Sequence, residues 1–326
     1  MPQLQFREAI REAMQEEMRR NDRVFLMGEE VAEYDGAYKV SQGMLAEFGP
    51  KRIIDTPISE LGFAGIGVGA AMNGLIPIVE FMTFNFSMVG VDQILNNAAK
   101  IRYMSGGQVQ MPVIFRGPNA AAGQLGATHS VAFESFFSYF PGLKVIYASE
   151  PYDAKGLLKS AIRDGNPIIF LESEQMYGLK GEVPEEEYLI PIGEGKIKRE
   201  GSDVTLVAHG KMLHVARQAA DQLAKDGIEC EIIDPRTIKP FDINLVVESV
   251  KKTNRVVLLD ESHPFGGVAA EVGFLIQREA FDYLDAPVQR VTLPDVPAPF
   301  ARNLYDIWFP DAKQVIAAVK AVTYTH

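Results

Sequence analysis

A chain of 326 residues, 47% of them hydrophobic, is long enough for two domains with separate cores. Its 32 Lys and Arg against 43 Asp and Glu give a net charge of -11, which leaves no basic surface for a phosphate backbone and argues against nucleic acid as a partner. Gly, Asn and Glu break every apolar run well before the ~20 residues that span a bilayer, so a membrane-spanning helix is excluded too.

The start, MPQLQFREAI, reads as an amphipathic segment and not as a signal or transit peptide, which fits a bacterial-type cytoplasm or an organelle matrix. Phe6, Ala9, Ile10, Ala13 and Met14 recur at helical spacing, and a strand over 23–27 then ends in Gly28-Glu29-Glu30. The alternation continues: strand 52–55, a Gly/Ala-rich helix near Glu60, strand 77–82, helix 90–103, strand 112–116, a helix near Phe133, strand 144–148, helix 152–163 and strand 167–172. Such a series predicts an α/β fold, a mostly parallel sheet with helices on both faces.

From Ser173 to Asp203 the composition turns acidic and carries Pro and Gly, predicting a surface linker with one hairpin. The predicted organisation is therefore a first domain over 1–175, a linker over 176–203 and a second α/β domain over 204–326. The second domain should hold strands 204–208, 229–233, 255–260 and 288–293, with helices from about Leu213, Asp242, Gly267 and Asp311. Tandem repeats and low-complexity tracts are absent. The single Cys230, in a strand-like run, rules out an internal disulfide and reads as a small core residue.

Residues 55–91 concentrate the unusual chemistry. Thr56 suits a helix cap and Pro57 the first helical position, which puts Glu60 in the first turn among Ile58, Leu61 and Phe63. Gly62, Gly65, Gly67 and Gly69 leave little side-chain bulk, so a backbone or a flat ligand could approach closely. Taken alone, Glu60 is explained as an acid favoured by the helix dipole. The glycines loosely fit a dinucleotide fingerprint, but that motif needs a strand directly before it and an acid about 20 residues on. Helix packing explains them better. A phosphate-binding loop, a nucleophile elbow and an H-E-x-x-H motif are all missing, and His129, His209, His214, His263 and His326 show no metal spacing. His129 stands out because its small-residue loop, GPNAAAGQLGATHS, directly follows a strand, where α/β proteins place chemistry. His209 and His263 also follow strands and are weaker candidates. A surface histidine hydrogen-bonded locally accounts for each of them equally well.

The blocks GEEVAEYDGAYKVSQG, RIIDTPISELGFAGIGVGAA, EFMTFNFSM, DQILNNAAKIRYMSGG, FRGPN, ATHS, PGLKV, KSAIRDGNP, RTIKPFD and LPDVPAPFA together resemble the β subunits of the pyruvate dehydrogenase E1 component. The match runs over essentially the whole chain; related branched-chain and acetoin dehydrogenase β subunits usually lack the TFNF wording. The resemblance implies a thiamin-diphosphate pyrimidine-binding domain followed by a transketolase C-terminal-like domain, assembled with α subunits as an α2β2 tetramer. It implies oxidative decarboxylation of pyruvate and reductive acetylation of a lipoyl group on the E2 acyltransferase.

Within that resemblance, Glu60 of ISELGFAG is the carboxyl that hydrogen-bonds pyrimidine N1' of the cofactor. The task needs a carboxyl able to hold a proton near neutrality, which an apolar, partly desolvated position favours. The aromatic contact with the pyrimidine maps to Phe86, in preference to Phe84, with Met82 nearby. His129 maps to a residue orienting substrate or lipoyl group, although Val131 and Ala120 depart from the family's HSQ and Gly. Glu29 resembles an acid of a proton-relaying tunnel between active sites. The KSAIRDGNP block resembles a potassium site of backbone carbonyls from Ala161, Ile162, Asp164 and Asn166 plus Val113, while a helix end closed by Gly165 explains the same residues without an ion.

The family's Mg2+ signature, Gly-Asp-Gly followed by Asn, is missing: the nearest triplets are Arg163-Asp164-Gly165 and Lys225-Asp226-Gly227. The resemblance therefore assigns Mg2+ and the diphosphate mainly to the α subunit. E2 is the further partner, its peripheral-subunit-binding domain expected near Asp295 and the chain's end at His326 and its lipoyl domain at the active site. Two alternatives stay open at this point: a self-contained nucleotide-binding oxidoreductase, which NAD titration would reveal, and a scaffold subunit without chemistry.

Overall fold

The computed structural model describes residues 2–325; His326, an expected partner contact, lies outside them. The described residues divide into two compact units. The first runs to Asn119 and resumes over Phe136–Ile192; the second takes Ala120–Ser135 and everything from Gly193. The chain thus leaves the first unit for 16 residues, Ala120 to Ser135, and those residues include His129.

In chain order the first part holds β1 (Gln3–Gln5), α1 (Phe6–Arg20), β2 (Val24–Gly28), α2 (Met44–Phe48), β3 (Ile53–Asp55), α3 (Glu60–Met72), β4 (Ile76–Glu80), α4 (Ala99–Met104), β5 (Ile114–Pro118), α5 (Glu134–Tyr139), β6 (Lys144–Tyr147), α6 (Pro151–Asp164), β7 (Ile168–Glu172) and β8 (Lys180–Glu182). Six of its strands lie in the order β6-β7-β5-β4-β2-β3, every neighbouring pair parallel. β2, β4, β5 and β7 are buried at every residue, as central parallel strands must be, which is why they read as apolar runs without alternation.

α1 and α6 pack together, and their contact adds charge pairs to apolar burial. Lys155 meets Glu12 and Glu16, Lys159 meets Glu16, and Arg163 meets Glu17. α1 starts from a capping box of Gln5 and Glu8, and α6 from Pro151 in its first turn.

The remainder is β9 (Lys196–Arg199), β10 (Val204–Ala208), α7 (Lys211–Leu223), β11 (Cys230–Asp234), β12 (Thr237–Lys239), α8 (Ile243–Thr253), β13 (Val256–Leu259), α9 (Val268–Ala280), β14 (Gln289–Val291), α10 (Arg302–Trp308) and α11 (Ala312–Thr323). The second unit's sheet has the order β14-β13-β10-β11-β9, parallel except for the antiparallel edge strand β9. Its core joins β10, β11 and β13 to α7 and α11 through residues such as Leu206, Met212, Leu223, Ile232 and Val319. Cys230 is a buried member of this core.

Four details differ from the sequence reading. The linker forms no hairpin: β8 pairs with the amino-terminal strand β1, and β9 pairs with β11. The helix expected over 90–103 forms over 91–104, but its middle, Gln93–Ala98, is π-helical before it continues as α4. α3 is capped by Ser59 and not Thr56, with Glu60 as its first residue, because Ser59 is the last residue with non-helical backbone (φ -158°, ψ 75°). The short helices α2 and α10 lack a periodic apolar pattern long enough to announce them.

Arg116 on β5 is fully buried and flanked by two acids from neighbouring strands. Its Nε and Nη2 each donate at 2.6 Å to the two oxygens of Glu172 on β7, and Nη1 donates to Glu80 on β4. Tyr177 Oη donates to Glu172 Oε2 at 2.8 Å. Burial pushes the Glu80 carboxyl up, and Arg116 opposes that shift. Removing one partner of a buried ion pair strands the other, at about 3–5 kcal/mol. Arg116→Met should therefore lower unfolding stability by about that amount in denaturant titrations, and the triple change Arg116→Met, Glu80→Gln, Glu172→Gln should recover a large part of it.

Candidate active site

The carboxyl ends of β2, β3 and β4 bring the two acids Glu29 and Glu60 together. β3 ends at Asp55, whose carboxylate accepts from the backbone N–H groups of Ala32 (2.7 Å) and Glu33 (3.1 Å), while Thr56 N–H donates to Gly28 O at 2.9 Å. These bonds tie the loop after β2 to the lead-in of α3. A Cβ on Gly28 would lie 2.6 Å from Glu80 O, so only glycine lets β2 run this close to β4 at the point where Glu29 follows.

Glu29 and Glu60 are 5% and 6% exposed, and Glu60 lies close enough to act on the Glu29 carboxyl. Burial, then the charge and hydrogen bond of Glu60, push the Glu29 pKa up to about 7. A like charge beside a desolvated carboxyl favours its protonated form, so Glu29 keeps its proton to higher pH than a free glutamate. Among the described residues, the buried Oε1 of Glu29 has no hydrogen-bond partner.

The MTFNFS turn follows β4. Thr83 caps it by accepting from Asn85 N–H, and Phe86 N–H donates to Thr83 O at 3.0 Å. Phe84 is buried in edge-on contact with Phe81 and Phe137, whereas Met82 and Phe86 remain partly accessible. A flat ligand could therefore meet Phe86 but not Phe84. At the end of the turn a Cβ on Gly90 would lie 2.8 Å from Glu60 O, so the turn closes directly against the head of α3. Within α3, Gly67 packs against Val79 of β4 and Gly65 against Gln93, while Gly69 faces open space.

His129 belongs to the second unit. It ends a short 3₁₀ turn, Ala127–His129, with Nδ1 2.8 Å from Thr128 Oγ1. The segment is anchored near its start: Lys211 Nζ donates to Ala121 O at 2.9 Å and sits 3.8 Å from the centre of the Phe309 ring, and Ala121 packs with Leu293, Ala298, Tyr305 and Trp308. Ala120 adopts φ +61°, a conformation that glycine adopts freely, which accounts physically for the family's glycine there. His209 is buried with Nε2 3.8 Å from Glu134 and 3.9 Å from Asp260. Burial alone would lower its pKa, but Glu134, Asp260 and Glu261 raise it to about 9. His263 Nδ1 lies 2.8 Å from Pro294 O.

At the other end of α6, Gly165 (φ +80°) terminates the helix. Asn166 Nδ2 donates to Asp164 Oδ1 at 2.7 Å, Arg102 donates to Asn166 Oδ1, and Lys144 Nζ donates to Asp164 Oδ2 at 2.5 Å. Val113 O accepts from Ile168 N–H at 2.9 Å, leaving it one lone pair for a further partner. These side-chain bonds hold the turn that carries the Ala161, Ile162, Asp164 and Asn166 carbonyls.

Residues 2–180 match the transketolase pyrimidine-binding domain, and 193–315 the transketolase C-terminal domain. The chain is 56% identical over 322 residues to the pyruvate dehydrogenase E1 component subunit beta of Rickettsia felis, covering 99% of each. It is 54% identical to the subunit of that name from Rhizobium meliloti, over 99% of this chain and 71% of the relative. The mitochondrial subunit of Bos taurus is 53% identical over 98% of this chain and 90% of its own length. Among solved structures, a split-gene transketolase described as an inactive beta4 tetramer superposes with a TM-score of 0.79 over 98% of both chains, at 24% identity, a likeness of fold.

The raised Glu29 pKa has a signed consequence for stability. Between pH 4.5 and about 7 the folded chain keeps a proton that the unfolded chain has released, so this group's contribution falls as pH rises through that window and is constant above it. At about 1.4 kcal/mol per pKa unit, wild type should lose about 3 kcal/mol relative to Glu29→Gln between pH 4.5 and 7. Denaturant titrations of both proteins across that range measure the difference; parallel profiles would contradict the retained proton.

Proposed function

The chain belongs to the pyruvate dehydrogenase E1 β-subunit family, and from that premise we propose that the buried Glu29 and Glu60 pair is its proton-handling centre. Its role is that of the β half of E1 in the pyruvate dehydrogenase complex, a thiamin-diphosphate-dependent oxidoreductase acting on a 2-oxo acid and paired with an α subunit. The observation that carries the assignment of residues is the buried Glu29 carboxyl, its pKa pushed up to about 7, beside the buried Glu60 at the head of α3.

The residues fit the cofactor. A buried carboxyl oxygen of Glu29 without a partner among the described residues, the buried Glu60 beside it, and the partly accessible Phe86 and Met82 suit an aminopyrimidine, which calls for a proton donor at one ring nitrogen and flat apolar contact. Bound thiamin diphosphate supplies the nucleophilic carbon and electron sink for decarboxylation. Glu60 holds a proton at pyrimidine N1', and Glu29 stores and returns it. The chain lacks Gly-Asp-Gly, so the α subunit provides the oxygen ligands for Mg2+ and the diphosphate, and the β chain is active only with it. Ile58, Leu61, Ile66, Met72, Tyr103 and Met104, all at least 45% exposed in this unit, are apolar surface that such subunits would cover.

The same reading gives His129 the task of orienting the lipoyl group and places K+ at the carbonyls of Val113, Ala161, Ile162, Asp164 and Asn166. It puts the E2 peripheral-subunit-binding domain against exposed Asp295, in a turn held by Trp308 Nε1 donating to Val296 O at 2.7 Å. A bacterial-type cytoplasmic location rests on the bacterial relatives; among the described residues no helix is long and apolar enough to cross a membrane.

Glu60→Gln in the assembled enzyme should lower pyruvate decarboxylation about 10²–10⁴-fold while thiamin diphosphate still binds; near wild-type turnover would refute the assignment. His129→Ala should impair acetyl transfer to lipoyl more than decarboxylation followed with an artificial acceptor, and equal losses would remove that role. The chain without its α partner should bind thiamin diphosphate no tighter than about millimolar, about -4 kcal/mol, and should decarboxylate nothing. Calorimetry on the isolated chain and on the α2β2 assembly makes the comparison.

A further inference from the structure

We propose that Glu134, His209 and Asp260 form a binding site for a divalent transition-metal ion, zinc by the chemistry of its donors, in the second unit. The three residues come from distant stretches: Glu134 opens α5 at the end of the Ala120–Ser135 segment, His209 follows β10, and Asp260 follows β13. All are nearly or fully buried, at 0%, 3% and 0% exposure. One ligand atom from each lies within 4.8 Å of the others, with His209 Nε2 3.8 Å from Glu134 Oε1 and 3.9 Å from Asp260 Oδ1. Donors around tetrahedral zinc, at 2.0–2.2 Å from the ion, are about 3.3–3.6 Å apart. The His209 distances need to close by about half an ångström, and the carboxylates to draw together within the same 4.8 Å limit, for the site to form.

Three further observations favour a cation. Two buried carboxyl groups converge on a single imidazole, a donor set to which a divalent cation is suited. Asp260 is oriented in advance by the N–H groups of Ser262 (3.0 Å) and Ala269 (2.9 Å), the outer-shell support that metal-binding carboxylates have. A Cβ on Gly267 would lie 3.0 Å from Asp260 Oδ2, so the head of α9 closes tightly around that carboxylate. A cavity of ≈ 10 Å³ borders His209 and Asp260, otherwise lined by apolar side chains such as Phe241, Leu258 and Val272.

One imidazole with two carboxylates suits zinc, and cobalt as its spectroscopic substitute. The ion would be structural. It joins the far end of the Ala120–Ser135 segment to the carboxyl ends of β10 and β13, as Lys211 joins the near end.

The test uses the α2β2 assembly stripped with a chelator and freed of thiamin diphosphate and Mg2+. Dialysis against Zn2+ or Co2+, followed by elemental analysis, should give one ion per β chain, and Co2+ should show the strong visible absorption of a four-coordinate site. His209→Gln and Glu134→Gln should each weaken Co2+ binding more than 100-fold, beyond the ~10–100-fold typical of outer-shell changes, with circular-dichroism spectra unchanged. X-ray absorption of the zinc-loaded wild type should find one imidazole among oxygen donors, and it needs no variant. No stoichiometric ion in wild type, binding equal in His209→Gln, or absorption spectra without an imidazole would each overturn the proposal in favour of an imidazolium held by two carboxylates.

Discussion

The buried guanidinium of Arg116 is the constraint on which the first unit's working end depends. It spans β4, β5 and β7 by engaging Glu80 and Glu172, and those acids end the strands from which the MTFNFS turn and the chain after β7 depart. Its effect reaches further through the backbone. Glu80 O lies where a side chain on Gly28 would have to go, so the strand end that presents Glu29 is packed directly onto the residue that Arg116 holds. Asn119 N–H donates to Glu172 O at 2.9 Å, so the chain's exit from the unit is set by the second acid of the same network.

Buried carboxyls thus occur in two electrostatic settings within a few strands of each other. Glu80 and Glu172 face the guanidinium of Arg116, whose charge opposes the upward push of burial on the Glu80 carboxyl. Glu29 lies beside another carboxyl, and burial with that neighbour's charge favours its protonated form. Residue type is the same throughout; the neighbour decides whether an acid serves as a counter-ion or as a proton store. A sheet end that needs both must keep them apart, and placing Arg116 on the far side of Glu80 from Gly28 and Glu29 achieves this.

Much of the fold was readable because buried parallel strands are apolar runs and surface helices carry a 3.6-residue period: β2, β4, β7, β10, α1 and α6 lie within a residue or two of where those patterns put them. Glu60 was singled out by a local motif. The Arg116 network was not, since its acids are 36 and 56 residues away and no local pattern links them. The same holds for Glu134, His209 and Asp260, whose separations are set by three different connections. The linker strands β8 and β9 are short, half-exposed and defined only by their partners β1 and β11, and the allegiance of Ala120–Ser135 to the second unit depends on Lys211 and the Trp308 cluster, far along the chain.

That allegiance also orders events during synthesis. Residues 120–135 leave the ribosome while the elements they will pack on are unmade: Lys211 is 90 residues beyond Ala121. Asp260 follows Glu134 by more than a hundred positions, a delay of roughly 6–25 s at ~5–20 residues per second. Meanwhile the flanking stretches can already assemble the first sheet around them. The segment must therefore tolerate exposure as an excluded loop, and its run of Gly, Ala, Ser and Thr, with few large apolar side chains before Phe133, is a composition that suits a nascent chain waiting without sticking.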